Sequence, residues 1–119
     1  MGHSILLVED DRVSRESLAH LLQGLGHDVC AVWSAEDAKA ALAGFTPEVA
    51  VLDVRLPGIP GDAFAVYLRH KIPGVKIIVV SGEFRLEEPE RFGPGVTFIP
   101  KPLDFQRLLR VIQEPGAAQ

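Results

Sequence analysis

Apolar residues along the chain concentrate in short runs that predict strands. Four runs cover residues 5–8, 49–52, 75–80 and 96–99, and a weaker fifth run covers 29–33. Runs that are apolar at nearly every position are typical of strands buried on both faces, as in a parallel sheet. The pattern therefore predicts five buried strands.

Between these runs, apolar residues recur with helical spacing. The predicted stripes are Val13, Leu18, Leu21, Leu22 and Leu25; Ala38, Ala41, Leu42 and Phe45; Phe64, Tyr67, Leu68 and Ile72; and Phe105, Leu108, Leu109 and Ile112. Ser34 and Asp37 form a predicted capping pair before the second stripe. Strands that alternate with helices predict an α/β fold, a doubly wound parallel sheet with helices on both faces.

One repeat of this alternation is weak. The segment between Ser81 and Val96 contains Pro89 and the run Gly93-Pro94-Gly95, which interrupt a helix. Few apolar residues in it could face one side. We therefore predict that the fourth helix is short or irregular, and that residues 84–95 form the most mobile internal segment.

Composition limits the kinds of protein this chain can be. Its 119 residues suit a single domain over residues 1–119, in which 114–119 are expected to be a frayed tail or a cut linker. The single cysteine, Cys30, rules out an internal disulfide and suits a reducing compartment, so a cytoplasmic location is expected. A net charge of −4 without a Lys/Arg cluster argues against direct nucleic acid binding. No apolar run approaches the roughly 20 residues that span a bilayer, so no membrane association is expected.

Polar residues follow several predicted strands at the point where each strand ends. These residues are Glu9-Asp10-Asp11, Asp53, Ser81-Gly82 and Lys101-Pro102. In doubly wound folds, ligands bind at the carboxyl ends of the strands. Carboxylates gathered there repel one another, and a divalent cation relieves that repulsion. Oxygen ligands without clustered His or Cys indicate Mg²⁺ or Mn²⁺.

Each of these features also has an ordinary structural interpretation. The acidic triplet can cap the first helix, Asp53 can be a turn residue, and Lys101 can be a solvated surface lysine. Their joint placement at successive strand ends favours a common site. The four histidines share no ligand spacing and are expected at the surface or at caps, and Trp33 is expected at the edge of the core.

The whole chain resembles the receiver domain of two-component response regulators. The matching stretches are Ile5-Leu6-Leu7-Val8-Glu9-Asp10-Asp11, Val51-Leu52-Asp53-Val54-Arg55-Leu56-Pro57-Gly58, Val79-Val80-Ser81-Gly82 and Phe98-Ile99-Pro100-Lys101-Pro102. The resemblance implies the flavodoxin-like (βα)5 fold with strand order 2-1-3-4-5. It also implies a cis peptide bond between Lys101 and Pro102.

The resemblance further implies a role for each matching residue. Asp53 corresponds to the phosphorylated aspartate. The expected ligands of Mg²⁺ (or Mn²⁺) are the carboxylates of Glu9, Asp10 and Asp53 and the backbone carbonyl of Arg55. Asp11 matches no site residue of the family and is expected to cap the first helix.

Three further positions complete the implied machinery. Ser81 would hydrogen-bond the phosphoryl group, Lys101 would pair with one of its oxygens, and Phe98 would move with Ser81 as the conformational switch. Arg55 and Glu83, two residues beyond Asp53 and Ser81, are a hypothetical charge pair that gates the hydrolytic water. The order of residues 84–95 is expected to depend on phosphorylation.

The function implied is phosphorelay signal transduction. A histidine kinase or phosphotransfer protein would donate the phosphoryl group from a phosphohistidine, and a downstream output protein or domain would be regulated. Such a domain is not an enzyme, apart from catalysing its own phosphorylation and dephosphorylation. An alternative is a degenerate receiver that only binds partners. A haloacid-dehalogenase-like phosphatase would need a second acid two residues after its nucleophile, where this chain has Arg55.

Overall fold

A computed structural model describes residues 2–82 and 89–114. The strands are β1 (Ser4–Val8), β2 (Asp28–Val32), β3 (Val49–Asp53), β4 (Lys76–Ser81) and β5 (Thr97–Pro100). The α-helices are α1 (Arg12–Gly24), α2 (Ala35–Ala41), α3 (Gly61–Lys71) and α4 (Phe105–Gln113), and Pro89–Phe92 forms a 3₁₀-helix. None of the helices in these ranges is long and apolar enough to cross a membrane.

All strand pairs are parallel, and the strand order is β2-β1-β3-β4-β5. This confirms the predicted flavodoxin-like fold and its strand order. Side chains alternate between the two faces of the sheet because successive residues of a strand point in opposite directions. In β1, Leu6 and Val8 pack with α2 and α3, whereas Ile5 and Leu7 pack with α1 and α4.

The stripe predicted for the first helix was largely wrong. Val13, Leu21 and Leu25 are 72%, 49% and 55% exposed, while the buried residues of α1 are Ala19 and Leu22. At about 100° per residue, Val13 lies roughly opposite Leu22 on the helix. The apolar side chains of this helix therefore exceed what one buried face can hold.

The predicted helix caps are confirmed. The Asp11 carboxylate accepts a hydrogen bond from the Ser14 N–H at 2.8 Å, so Asp11 begins α1. The Ser34 hydroxyl accepts one from the Asp37 N–H at 3.1 Å, which begins α2. Trp33 is 53% exposed, so its placement at the core edge was wrong. It follows the last residue of β2, an edge strand, where no neighbouring strand covers it.

In the described part of the chain, the fourth helix is indeed short. Pro89–Phe92 is a single 3₁₀ turn, and Phe92 anchors it in the core at 4% exposure. The Phe92 ring meets the Phe98 ring edge-on, with 5.5 Å between centroids. Residues 83–88 lie outside the described residues, so the predicted mobility of residues 84–95 stays a prediction.

The histidines were expected at the surface or at caps, but His27 is buried at 8% exposure. Its Nδ1 accepts a hydrogen bond from the His3 backbone N–H at 3.0 Å, so this nitrogen carries no proton. Burial lowers the pKa of His27, and the neighbouring His3 lowers it further. Both effects favour the neutral imidazole of His27 in the folded protein.

This predicts a histidine contribution to stability that depends on pH. The folded state binds fewer protons than the unfolded state, so the contribution is complete above the unfolded pKa of about 6.5. It is lost as the pH falls from there through the lower pKa of the folded state. Urea midpoints should show wild type losing its advantage over His27→Gln between about pH 8 and pH 5.5. His20→Gln, at an exposed position of α1, is the control. Parallel pH profiles for wild type and His27→Gln would contradict the assignment.

Gly61 lets α3 begin directly against the end of β3. A Cβ at this position would lie 2.8 Å from the Asp53 carbonyl oxygen and 2.9 Å from that of Val54. Gly24, the last residue of α1, has open space where its Cβ would be. Gly61 is thus a packing requirement of the Asp53 turn, whereas Gly24 is not.

We expect Gly61→Ala to destabilise the fold by about 1–3 kcal/mol, because the backbone must move to accept the methyl group. Gly24→Ala should be neutral or stabilising by up to about 1 kcal/mol. Chemical denaturation of both variants beside wild type measures the difference. Equal stabilities for the two variants would show that the contact at Gly61 relaxes without cost.

Candidate functional site

The polar residues predicted from the strand ends meet at one edge of the sheet. Glu9 follows β1, Asp53 ends β3, Ser81 ends β4 and Lys101 follows β5. An open cleft of about 430 Å³ at this edge is lined by Asp10, Asp53, Val54, Arg55, Ser81, Gly82 and Lys101. The strand-end rule thus located the residues that the fold brings together.

Three carboxylates form an acidic cluster at this edge of the sheet, and two of them, Asp10 and Asp53, line the cleft. Glu9, Asp10 and Asp53 each offer an oxygen, and these oxygens all lie within 4.8 Å of one another. Glu9 and Asp53 are each only 8% exposed. An all-oxygen donor set with no histidine or cysteine fits a hard cation such as Mg²⁺ or Mn²⁺.

Lys101 is the cation that the protein itself supplies to this cluster. Its Nζ lies 2.8 Å from Asp53 Oδ2 and 3.5 Å from Glu9 Oε1. Burial alone would lower the Lys101 pKa, but the hydrogen bond and charge of Asp53, with the charge of Glu9, outweigh it and raise the pKa. Lys101 therefore remains an ammonium ion. The Lys101-Pro102 bond is cis, as predicted.

The repulsion within the cluster is seen in the pKa of Glu9. Burial raises the pKa of its carboxyl group, and the negative charge of Asp53 raises it further. The backbone N–H of Asp11, which donates to Glu9 Oε2 at 3.0 Å, and the charge of Lys101 act in the opposite direction. A cation bound among these oxygens would remove the remaining penalty for ionising Glu9.

The turn after β3 is ordered around the Asp53 side chain. The Arg55 backbone N–H donates to Asp53 Oδ1 at 3.0 Å, while Lys101 occupies Oδ2. Further along, Gly58 adopts φ +73°, and the Ile59 N–H donates to Glu36 Oε2 at 3.1 Å. The carboxylate of Asp53 is therefore held at both oxygens, and its turn is tied to α2.

Ser81 and Phe98 lie on the same face of the sheet. In the pairing of β4 with β5, Ser81 lies opposite Pro100 and Val79 lies opposite Phe98. Because alternate residues of a strand share a face, Phe98 lies on the same face as Ser81 and two residues away from it along the strand pair. Ser81 is buried at the cleft, whereas Phe98 is partly buried beside Phe92. Phe98 thus lies beneath the cleft rather than in it.

Two polar contacts at the site were absent from the sequence analysis. Arg15 donates to the backbone carbonyls of Glu9 and Asp10, and Glu36 accepts from the turn after β3. Both side chains act on the backbone, which leaves no residue pattern to detect. The suggested pairing of Arg55 with Glu83 cannot be placed, because Glu83 lies outside the described residues; it stays a hypothesis.

Comparison with known proteins identifies the family of this chain. The sequence model of the protein family described as the response regulator receiver domain matches residues 5–113. Response regulator protein FleR of Pseudomonas aeruginosa is 30% identical over 122 residues, which cover 100% of this chain and 26% of that protein. Nodulation protein W of Bradyrhizobium diazoefficiens is 32% identical over 110 residues, covering 91% of this chain and 48% of the relative. The chain thus spans about a quarter to a half of these relatives.

Solved structures agree with this assignment. A receiver domain protein described as CheY-like, from Methanospirillum hungatei, superposes with a TM-score of 0.86 at 27% identity, covering 95% of this chain and 92% of that one. NtrX from Brucella abortus, solved with ATP, gives 0.84 at 29% identity, covering 95% of this chain and 26% of that one. The chain therefore belongs to the receiver domain family of response regulators, the domains of two-component phosphorelay signalling.

Proposed function

We propose that Asp53 accepts a phosphoryl group, with Mg²⁺ or Mn²⁺ bound beside it. The observation that carries the proposal is the environment of one carboxylate. Asp53 is within hydrogen-bond distance of the Lys101 ammonium and belongs to the acidic cluster with Glu9 and Asp10. An acceptor needs both a counter-cation and a metal position at its oxygens, since phosphoryl transfer depends on positioning and charge neutralisation.

The donor is a phosphohistidine of a histidine kinase or of a phosphotransfer protein. A carboxylate oxygen of Asp53 forms the new P–O bond while the P–N bond of the donor breaks. The Arg55 N–H fixes the orientation of the carboxylate, and Lys101 offsets the charge on the phosphoryl oxygens. Glu9, Asp10, Asp53 and the Arg55 carbonyl would hold the metal ion, which supplies further charge neutralisation. Water later cleaves the aspartyl phosphate.

Phosphorylation would be transmitted through Ser81 and Phe98. A phosphoryl group on Asp53 attracts the Ser81 hydroxyl as a hydrogen-bond donor. Movement of Ser81 frees space on the face that it shares with Phe98, one step along the β4–β5 register. Phe98 packs against Phe92, so its movement would reach the 3₁₀-helix at Pro89–Phe92. A local change of charge thereby biases a packing arrangement.

Regulation of an output protein or domain follows as the role of this switch. The longer relatives include DNA-binding transcriptional regulators, but at a net charge of −4 this domain is not proposed to contact nucleic acid itself. We place its action in the cytoplasm, without membrane association. Its chemistry is limited to its own phosphorylation and dephosphorylation.

Asp53→Asn should abolish phosphorylation and leave the fold intact, because the residue lies at a strand end and the amide is nearly isosteric. Intact-mass spectrometry after treatment with acetyl phosphate and Mg²⁺ should show one added phosphoryl group on wild type and none on the variant. Asp28→Asn, an exposed acid at the start of β2, should label like wild type.

Excess EDTA should also suppress labelling of wild type. Equal adducts on wild type and Asp53→Asn would refute the acceptor assignment, and labelling unchanged by EDTA would refute the metal. A folded wild type that takes no phosphoryl group under any of these conditions would instead favour the degenerate receiver that only binds partners.

A further inference from the structure

Arg15 of α1 turns back towards the end of β1. Its Nη1 donates to the Glu9 carbonyl oxygen at 2.9 Å and lies 3.4 Å from that of Asp10. Both carbonyls belong to the turn that connects β1 to α1. The first hydrogen bond of α1 follows this turn and runs from the Arg15 N–H to the Asp11 carbonyl at 2.9 Å. One side chain thus reaches the backbone of two members of the acidic cluster.

Other hydrogen bonds fix this turn through its backbone N–H groups and through the Glu9 carboxylate. The Glu9 N–H donates to the Val32 carbonyl at 3.0 Å, and the Asp11 N–H donates to Glu9 Oε2 at 3.0 Å. Arg15 supplies donors to the carbonyl side of the same turn. Without it, the partly buried Glu9 carbonyl and the exposed Asp10 carbonyl would lose this donor, and the peptide planes that carry Glu9 and Asp10 would be freer to rotate.

The direction of the Arg15 side chain is informative because of the charges nearby. An arginine close to carboxylates commonly forms a bidentate pair with one of them. Here Nη1 binds backbone oxygens instead. These contacts use none of the carboxylate oxygens of Glu9 and Asp10, which leaves those oxygens to another cation.

We propose that Arg15 is a positioning residue for divalent metal binding, fixing the turn that presents Glu9 and Asp10. The inference rests on the proposed function, because it assumes that this cluster holds the metal. Arg15 acts through the backbone and touches no reacting group. Its effect should therefore appear in metal affinity rather than in the transfer step.

Arg12 provides a matched control for the charge of Arg15. It lies in the same helix three residues earlier, with a side chain 79% exposed and its Nε 3.2 Å from Glu16 Oε2. Removing either arginine takes one positive charge from the first turns of α1. Only removal of Arg15 also takes the donors from the carbonyls of Glu9 and Asp10.

The test is a Mn²⁺ titration followed by the EPR signal of the free ion, for wild type, Arg15→Met, Arg15→Lys and Arg12→Met. Loss of a residue that orients metal ligands typically weakens binding 10–100-fold, so the Kd of Arg15→Met should rise about tenfold. Arg12→Met should change it by less than about twofold, since exposed charges are screened. Arg15→Lys keeps the charge but loses the planar guanidinium group, so its Kd for Mn²⁺ should lie between those of Arg15→Met and Arg12→Met.

A second readout separates positioning from a general structural role. Labelling by acetyl phosphate at saturating Mg²⁺ should return to the wild-type rate in Arg15→Met, because the residue acts on metal affinity and touches no reacting group. Equal weakening by Arg15→Met and Arg12→Met, or no weakening by Arg15→Met, would overturn the inference. If Arg15→Met does not fold, the Mn²⁺ affinities of Arg15→Lys and Arg12→Lys are compared instead. Equal affinities of these two variants would overturn the inference. Failure of wild type to bind Mn²⁺ would instead refute the proposed function, and the inference with it.

Discussion

The arrangement of the site depends on the mutual repulsion of three carboxylates. Glu9, Asp10 and Asp53 bring oxygens within 4.8 Å of one another, and two of these residues are almost fully buried. Lys101 offsets part of this repulsion from 2.8 Å, yet the pKa of Glu9 remains raised by burial and by Asp53. One ammonium does not balance three acids at this separation. The cluster therefore formally carries more negative than positive charge, and a bound cation would offset the excess.

Hydrogen bonds to the backbone resist the tendency of these acids to move apart. Arg15 holds the carbonyl side of the turn after β1, and Glu36 holds the turn after β3 at the Ile59 N–H. Gly61 permits α3 to begin in contact with the carbonyls of Asp53 and Val54. Two helices thus stabilise the acid-bearing turns from outside, without using the carboxylate oxygens that a cation would need.

Sequence patterns predicted the parts of this molecule that repeat or that lie at strand ends. Apolar runs predicted β1, β3 and β4 because strands buried on both faces lack polar positions, whereas in the edge strands β2 and β5 only Ile99 is buried. The same reasoning failed for α1, where Val13, Leu21 and Leu25 are apolar but exposed, because periodicity alone does not say which of several stripes the sheet covers. It also missed the burial of His27 and the contacts of Arg15. Those depend on where a side chain meets the backbone of a distant or local turn, and such contacts leave no periodic signature.

The strand order explains why Glu9 and Asp53 meet at all. β1 and β3 are adjacent in the sheet although a strand and two helices separate them along the chain. From β1 the chain passes outward to β2, returns across β1 to β3 and then continues to β4 and β5. As a result, α1 and α4 cover one face of the sheet, and α2 and α3 cover the other. Doubly wound sheets open a crevice at the carboxyl ends where this reversal occurs. Arg15 of α1 and Glu36 of α2 bind the turns after β1 and β3, and these two helices cover opposite faces of the sheet. The topology that creates the space for a ligand therefore also supplies, from each side, a charged residue that orders the turn beside it.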